Sequence, residues 1–560
     1  MKLIPRDDDN MGRFVVAGKC FNPEKKYVRL LLHNAENDTY IYDKTIRLDE
    51  ESKFSATLEI PAKFEEYKLI IYSYDEQGNQ NLVKEVPGLV AGDYFLISGQ
   101  SNAVGSNGYS EEGLRFDSTY ANKYCRSLGT LYERAEYINW NLSMDCGYYK
   151  PSSIYFEHGC IASWPYRLMY ELCKKTGVPL CFINSGKGGS SISYHMASNT
   201  PSDQSRLQVV NDTSTGRVMR PYDRAYIKLL NNDVLRGIKG IVWYQGETDG
   251  NLTYEDAMDY TTRFGKLRES WKSDYPNLKK IFVFQLNTGC YGDYEYRIRE
   301  QQRQWPLIFN DVLVLPTFGF DQYDKSTDGC HYTLKGANRL AEILYPVVLN
   351  EIYGFNYPRD QIMGPSIQKI SYVSSSQLCL EFDMDIEAQL STDFSYPYTG
   401  TTYLKDYFYK KSFEQLLIQD IHTQGNKLYL TMSNMFEKTD RLTYLPNILS
   451  KLQTGYMGPW IVNKNNPTLG ALSFFEFPVG GGYVNVFPSP ADEFIEIRLF
   501  NKTIKEIRLY DLNGNLFVQI EPDPDKTKLE IAVSQLEPGV YSLVFVLPES
   551  TIVKKVLVQH

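Results

Sequence analysis

The stretch that decides the fold is Asp93-Tyr94-Phe95-Leu96-Ile97-Ser98-Gly99-Gln100-Ser101-Asn102. Tyr94 to Ile97 form an unbroken apolar run that passes directly into a cluster of Ser, Gly, Gln and Asn. Such a run fits a strand covered on both faces, with the polar cluster as the loop that follows. The pattern recurs downstream as "PLCFINS" at 179–185, "GIVWYQ" at 240–245, "IFVFQL" at 281–286 and "VLVLPTF" at 312–318. Helix-like stretches separate these runs. Apolar strands alternating with amphipathic helices predict an α/β class built on a parallel sheet, from residue 93 to about 350. The last helix, "TLKGANRLAEILYPVVLNE" at 333–351, places Leu334, Ala337, Leu340, Ala341, Leu344 and Val348 on one face. Thr333 is its expected N-cap, and Pro346 a late interruption that can kink the last turn.

Outward from this core the character changes on both sides. Residues 12–90 alternate polar and apolar in short runs ("RFVVAGKCF", "YVRLLLH", "FSATLEI", "YKLIIYSY"), as an antiparallel sandwich does. Strand-like runs return from about 355 to 478. "FPVGGGYVNV", with Gly480, Gly481 and Gly482 in a row, reads as a linker, and a compact β module follows in which Asn513-Gly514 makes a tight turn. The expected division is a β-sandwich over 1–90, an α/β domain over 91–354, a β-rich domain over 355–479 and a terminal β-sandwich over 480–560.

Composition narrows the function. At 560 residues the chain is too long for one core. Its net charge of −9 argues against nucleic acid or an anionic membrane as the main partner. No apolar run approaches the roughly 18–20 residues of a membrane helix. The start, "MKLIPRDDDN", lacks the apolar core of a signal peptide, which leaves a cytosolic protein or an export signal outside this sequence. Among the 44 tyrosines some can face sugars, although tyrosine serves equally on strand faces. Nine cysteines include no C-x-x-C pair, so zinc-site spacing is absent. Cys181 and Cys379 lie in apolar runs as small buried hydrophobes, while Cys173 and Cys181 are a possible pair that nothing in the sequence forces.

Ligands of an open parallel sheet sit beyond the carboxyl ends of its strands. Four loops expected there are unusual: Ser98 to Asn102, "NSGKGGSS" at 184–191, Gln245-Gly246-Glu247-Thr248-Asp249, and Asp328-Gly329-Cys330-His331. Acyl transfer needs a nucleophilic hydroxyl, a base, a group that orients the base, and donors for an oxyanion. Ser101 can supply the hydroxyl and its own N–H. Gly188 and Gly189 permit a close backbone approach. Gln245 or a neighbour in its loop can supply a side-chain donor. Asp328 and His331, three apart, can form the carboxylate–imidazole pair. Of the six histidines (His33, His158, His195, His331, His422 and His560), His331 alone has an acid at suitable spacing after a late strand, with His195 as runner-up. Each loop taken singly is an ordinary turn or cap. Their joint occurrence, each after a strand, carries the functional reading.

These blocks resemble the SGNH (GDSL-like) hydrolases, specifically the carbohydrate and sialate O-acetylesterase branch. "SGQSNAVG" matches the nucleophile block, "GGSSI" the glycine block, "WYQGETDG" the third block and "DGCHYTLKGANRLAEIL" the last, over roughly 88–350. The resemblance implies a three-layer α/β/α parallel sheet flanked by β-sandwich domains. It also implies Ser101 as nucleophile, His331 as base and Asp328 as its orienter, with Ser101 N–H, Gly188 and Gln245 around the oxyanion. Gln100, Asn102, Gly189 and Glu247 would support substrate or loops, as would Asp249, and neither metal nor cofactor is required. The superfamily carries Asn in its third block whereas this chain has Gln-Gly-Glu, so the counterpart is Gln245 or Glu247, and we expect Gln245. The terminal module, with "VNVFPSPADEFIEI", "LYDLNGN", "LEPGVYSLVFV" and "KKVLV", resembles the type A sorting domain of the type IX secretion system. This implies a secreted or surface protein, handled by that machinery, whose export signal lies outside the sequence. The substrate expected is an acetylated glycan. The alternatives are a non-catalytic glycan-binding protein on the same fold, or a lipase or thioesterase, which would need a long apolar acyl pocket.

Overall fold

The computed structural model describes residues 1–105, 122–128, 140–143, 159, 161–197, 220–290, 292–325, 328–395, 400–410, 414–433, 441–446, 456–479, 484–487, 490–499, 504–523, 526, 528–547 and 551–560. His158 and the triple glycine at 480–482 lie outside them.

The strands that position the site are β1 (Gln80–Gly99), β2 (Cys125–Leu128), β3 (Trp140–Leu142), β4 (Leu180–Asn184), β5 (Ile238–Tyr244), β6 (Lys280–Phe284) and β7 (Val312–Leu315). Their order is β7-β6-β5-β1-β4-β2-β3. All neighbours are parallel except the antiparallel pair β2–β3. β4 and β5 are buried at every residue, as continuous apolar runs require. β1 is central, and the chain leaves it to one side for β4 and to the other for β5. The order therefore reverses at β1, the topological point where an open parallel sheet forms a crevice.

The helices that flank this sheet include α1 (Ser101–Val104), α2 (Ser163–Thr176), α3 (Pro221–Asn231), α4 (Tyr260–Asp274), α5 (Glu295–Ile308) and α6 (Leu334–Tyr353). α2 packs on α6, and α4 packs on α5. α6 begins as expected, with Thr333 Oγ1 accepting from Gly336 N at 3.2 Å. It buries Ala337, Leu340, Ala341, Leu344 and Val348, continues past Pro346, and ends where Gly354 turns left-handed at φ 72°. Leu334, expected on the same face, is only half-buried because it opens the helix.

β1 does more than an isolated strand would. Its first half pairs antiparallel with Tyr67–Asp75 of the amino-terminal part, and its second half lies between β4 and β5. Lys2–Pro5 pairs parallel with its middle, Leu89 to Gly92, and Arg6 clasps Asp93. One continuous strand thus joins the amino-terminal β part to the α/β core, giving a large mixed sheet with several further β-sheets attached. Each β-rich part has its own apolar cluster. Leu30, Leu58 and Leu89 belong to the first, Leu380, Leu430 and Trp460 to the second, and Ile497, Leu509 and Phe545 to the last. In the last, Glu506–Tyr510 and Leu516–Ile520 pair across the expected Asn513-Gly514 turn, with Gly514 at φ 84°. Among the described residues no helix is long and apolar enough to cross a membrane.

Candidate active site

Ser101 stands at the first position of α1, directly beyond the carboxyl end of β1. As a first helical residue its N–H has no intrahelical acceptor. Gly99 makes this approach possible. A β-carbon there would lie 2.0 Å from Tyr244 O, and the backbone takes φ 133°. The next N–H, from Gln100, donates to that same Tyr244 carbonyl at 2.9 Å. The loops after β1 and β5 are consequently in direct contact.

His331 Nε2 lies 2.9 Å from Ser101 Oγ, and His331 Nδ1 lies 2.6 Å from Asp328 Oδ2. Asp328 Oδ1 also accepts from the backbone N–H groups of Cys330 at 3.0 Å and His331 at 2.9 Å. One carboxylate therefore shapes the turn and orients the imidazole. Burial alone would raise the Asp328 carboxyl, but its bonds to the His331 ring and backbone outweigh this and hold it well below the usual carboxylate range. The hydrogen bond that His331 Nδ1–H donates to Asp328 in turn raises His331 above an ordinary histidine, against partial burial, with help from the charges of Asp328 and Glu247. A serine hydroxyl, an imidazole and a carboxylate in this line can pass a proton from the hydroxyl to the ring.

The neighbouring loops are tied together by amides. Gln100 Oε1 accepts from Gln245 Nε2 at 3.2 Å and from Thr248 N at 3.1 Å, so Gln100 supports the third loop. Asn102 Nδ2 donates to Glu247 Oε1 at 3.0 Å and to Cys330 O at 3.3 Å, joining the third loop to the Asp328–His331 turn. Gln245 departs from expectation. It is fully buried, and its Nε2 already faces Gln100 Oε1, Ser190 O at 3.0 Å and Asp249 Oδ2 at 2.5 Å. Two amide hydrogens among three acceptors leave none for an oxyanion. Glu247 is also buried, which raises its carboxyl, and it accepts rather than donates toward Asn102. Burial pushes Asp249 up to about 6, and it receives Gln245 and the Ile192 N–H, acting as a loop tie.

Gly188 and Gly189 are exposed, and β-carbons there would meet nothing within 4 Å. They border open space. The glycine that lets this loop approach α1 is instead Gly186, where a β-carbon would lie 2.9 Å from Val104 Cγ2 and 3.0 Å from Val104 N. His195, the runner-up base, does not face Ser101. It is buried with its edge against Trp243, Nε2 is 2.7 Å from Ser190 Oγ, and burial pushes it down to about 3, so it is neutral.

Three features of the site were not expected from the sequence. Cys290 and Cys330 form a disulfide, Cα–Cα 4.4 Å, whereas Cys173 and Cys181 are both free and buried. Cys379 is free and buried, in keeping with its apolar run. Lys325 Nζ, fully enclosed, donates to Thr288 O at 2.7 Å and Gly329 O at 3.1 Å, and burial lowers it to about 7. Asn184 Nδ2 holds the carbonyls of Ala103 and Val104, each at 3.2 Å, at the end of α1. A fifth strand-end loop, Asn287-Thr288-Gly289-Cys290, carried the missing signal, since a cysteine stands in it and another inside the Asp328–His331 turn. Among the described residues no cluster of His, Cys, Asp and Glu could hold a metal ion.

Comparison with known proteins identifies the core and the terminal module. Residues 91–350 match the family described as carbohydrate esterase, sialic acid-specific acetylesterase, and residues 485–559 match the secretion system C-terminal sorting domain. Among solved structures, a carbohydrate acetylesterase from Xanthomonas citri superposes with TM-score 0.53 at 16% identity, covering 84% of this chain and 96% of that one. A protein from Arabidopsis thaliana gives TM-score 0.35 at 18% identity, over 46% of this chain and 98% of that one. A family two carbohydrate esterase from Cellvibrio japonicus gives 0.27 at 12% identity, over 62% and 94%. At such identities the Xanthomonas likeness is one of fold. No curated protein matches the chain. With the family matches covering the core that holds Ser101 and the terminal β module, residues 91–350 are a carbohydrate esterase domain of the sialic acid-specific acetylesterase family, a carboxylic ester hydrolase, joined to a sorting domain that marks the chain for type IX secretion to the cell surface or beyond.

Proposed function

We propose that this chain removes O-acetyl groups from a carbohydrate, an acetylated polysaccharide or an O-acetylated sialic acid, outside the cell. Ser101 is the nucleophile, His331 the general base and Asp328 its orienter. The observation that carries the reading is the unbroken line from Asp328 Oδ2 through His331 to Ser101 Oγ, with steps of 2.6 and 2.9 Å. His331 takes the hydroxyl proton as Oγ attacks the acetyl carbonyl. The oxyanion draws on the N–H of Ser101 and of Gly188, whose exposed, side-chain-free position leaves room for it. The sugar departs with the proton that His331 returns, and water, activated by the same base, releases acetate. Gln245, Gln100, Asn102 and Glu247 act by holding the loops in register. The same reading takes the central sheet with its helices as the three-layer α/β/α arrangement of SGNH hydrolases, flanked by β-sandwich domains.

Ser101→Ala is expected to lower acetate release from acetylated glycans and aryl acetates by about 10³-fold or more, as loss of a triad nucleophile does. Turnover within about tenfold of the parent would overturn the assignment. A panel of acetylated xylan, pectin and mannan and O-acetylated sialic acids then identifies the sugar.

A further inference from the structure

We propose that the Cys290–Cys330 disulfide is an oxidation-dependent clamp that seats His331 against Ser101, so that full turnover is reached only where thiols are oxidised. The inference rests on the Ser101–His331–Asp328 reading. Cys330 immediately precedes His331, and its partner lies in the loop after β6, on the wall facing the turn. That wall is fixed. Asn287 Nδ2 donates to Thr317 O at 3.2 Å and to Tyr332 Oη at 3.1 Å, and Thr288 Oγ1 receives Tyr456 N at 2.8 Å. The turn is less enclosed, with side-chain exposures of 45% at Asp328 and 27% at His331. An exposed turn is thereby bonded covalently to a rigid support.

The turn does not need the disulfide for its own shape. Asp328 holds the backbone and ring of His331 by itself. What the disulfide adds is the position of the turn as a unit, shared with the Lys325 bridge and the weak bond from Asn102 to Cys330 O. Cutting it leaves the carboxylate–imidazole pair intact and slackens the approach of Nε2 to Oγ. A displacement of about 1 Å at reacting groups can cost on the order of 10²-fold in rate. Cys290 and Cys330 are both partly exposed, so a small dithiol can reach them. Its two thiolates attack in turn, the S–S bond breaks, each cysteine sulfur takes a proton, and the dithiol closes to its own disulfide, a transfer of two electrons and two protons. A chain still in a thiol-rich compartment would carry the slack form, and export to an oxidising medium would tighten it.

The full-length oxidised chain is compared with the same chain reduced by dithiothreitol, with alkylation and mass mapping to verify opening of this bond. Two rates are read: labelling of Ser101 by a fluorophosphonate, and acetate release. Reduction should lower kcat and the labelling rate by about tenfold or more, leave KM within about twofold and the acidic limb of kcat/KM unmoved, and reverse on reoxidation. Cys290→Ala should match the reduced chain and no longer respond to dithiothreitol. Equal labelling rates before and after verified reduction, or a Cys290→Ala variant that still responds, would overturn the clamp. A chain that labels but releases no acetate would sink the acetylesterase reading alone, and the labelling rates would still decide the clamp. An oxidised chain that does not label at all would overturn both.

Discussion

Asp328 performs two tasks with its two oxygens, and a single substitution separates them. Asn at 328 keeps an oxygen for the backbone N–H groups of Cys330 and His331 but offers an amide where Nδ1 needs an acceptor. Asp328→Asn should therefore retain the fold and lose about 10³-fold or more in kcat. The pH profile carries the sign. Protonated His331 cannot take the Ser101 proton, and its bond to Asp328 raises its pKa, with Glu247 adding to the effect. Activity of the parent should fall as pH drops through a value above the roughly 6.5 of an unpaired histidine, and the residual activity of Asp328→Asn should hold to lower pH. A parent limb at or below 6.5, measured as kcat/KM against pH, would contradict the geometry. At this scale the sequence was most legible: D-x-x-H spacing is short enough for one turn to bring acid and base together. Gln245 was misread because burial cannot be seen in a motif. The same amide that could stabilise an anion is consumed by Gln100, Ser190 and Asp249.

The strand-end loops interlock at two glycines, and the contrast between glycines makes a test. Gly99→Ala forces a β-carbon to 2.0 Å from the Tyr244 carbonyl in a backbone that side chains rarely adopt. It should cost at least about 2 kcal/mol by thermal unfolding. Gly265→Ala, inside α4 with only Phe309 nearby at 3.6 Å, should be neutral or stabilising by up to about 1 kcal/mol. The five core strands and α6 were legible because periodicity reports burial, and a strand buried on both faces leaves an unmistakable apolar run. Loop-to-loop closeness leaves no such trace. Gly186 looks in sequence like its neighbours Gly188 and Gly189, yet it alone of the three presses on α1. The Cys290–Cys330 bond escaped for the same reason, since its two loops are adjacent only once β6 and β7 lie side by side.

The parts of the molecule also hold one another. The terminal sorting module docks on the esterase core. Gln304 Nε2 donates to Thr551 O at 2.6 Å, Thr551 Oγ1 returns a bond to Gln304 Oε1 at 2.6 Å, and Ser542 Oγ reaches Leu307 O. Arg268, fully enclosed, donates to Asn513 O as well as to Asp311. Deleting residues 485–560 should lower the melting temperature of the remainder by roughly 2–4 °C for each kcal/mol of lost packing. It should leave kcat/KM within about twofold, because the contacts run to α4, α5 and the turn after α5 rather than to the strand-end loops. A tenfold loss of kcat/KM would show that the module reaches the site. Composition and turn residues suggest four regions along the sequence, but nothing in them foretold how the parts dock. The join at the amino-terminal side is of another kind. Residues 80–99 are one strand that starts in the amino-terminal β part and finishes just before Ser101. Anyone trimming this enzyme to a minimal catalyst, or splicing its esterase onto a foreign partner, cannot cut near residue 90 without sawing the central beam in two. By the same logic the amino-terminal β part and the esterase core make a single cassette for recombination.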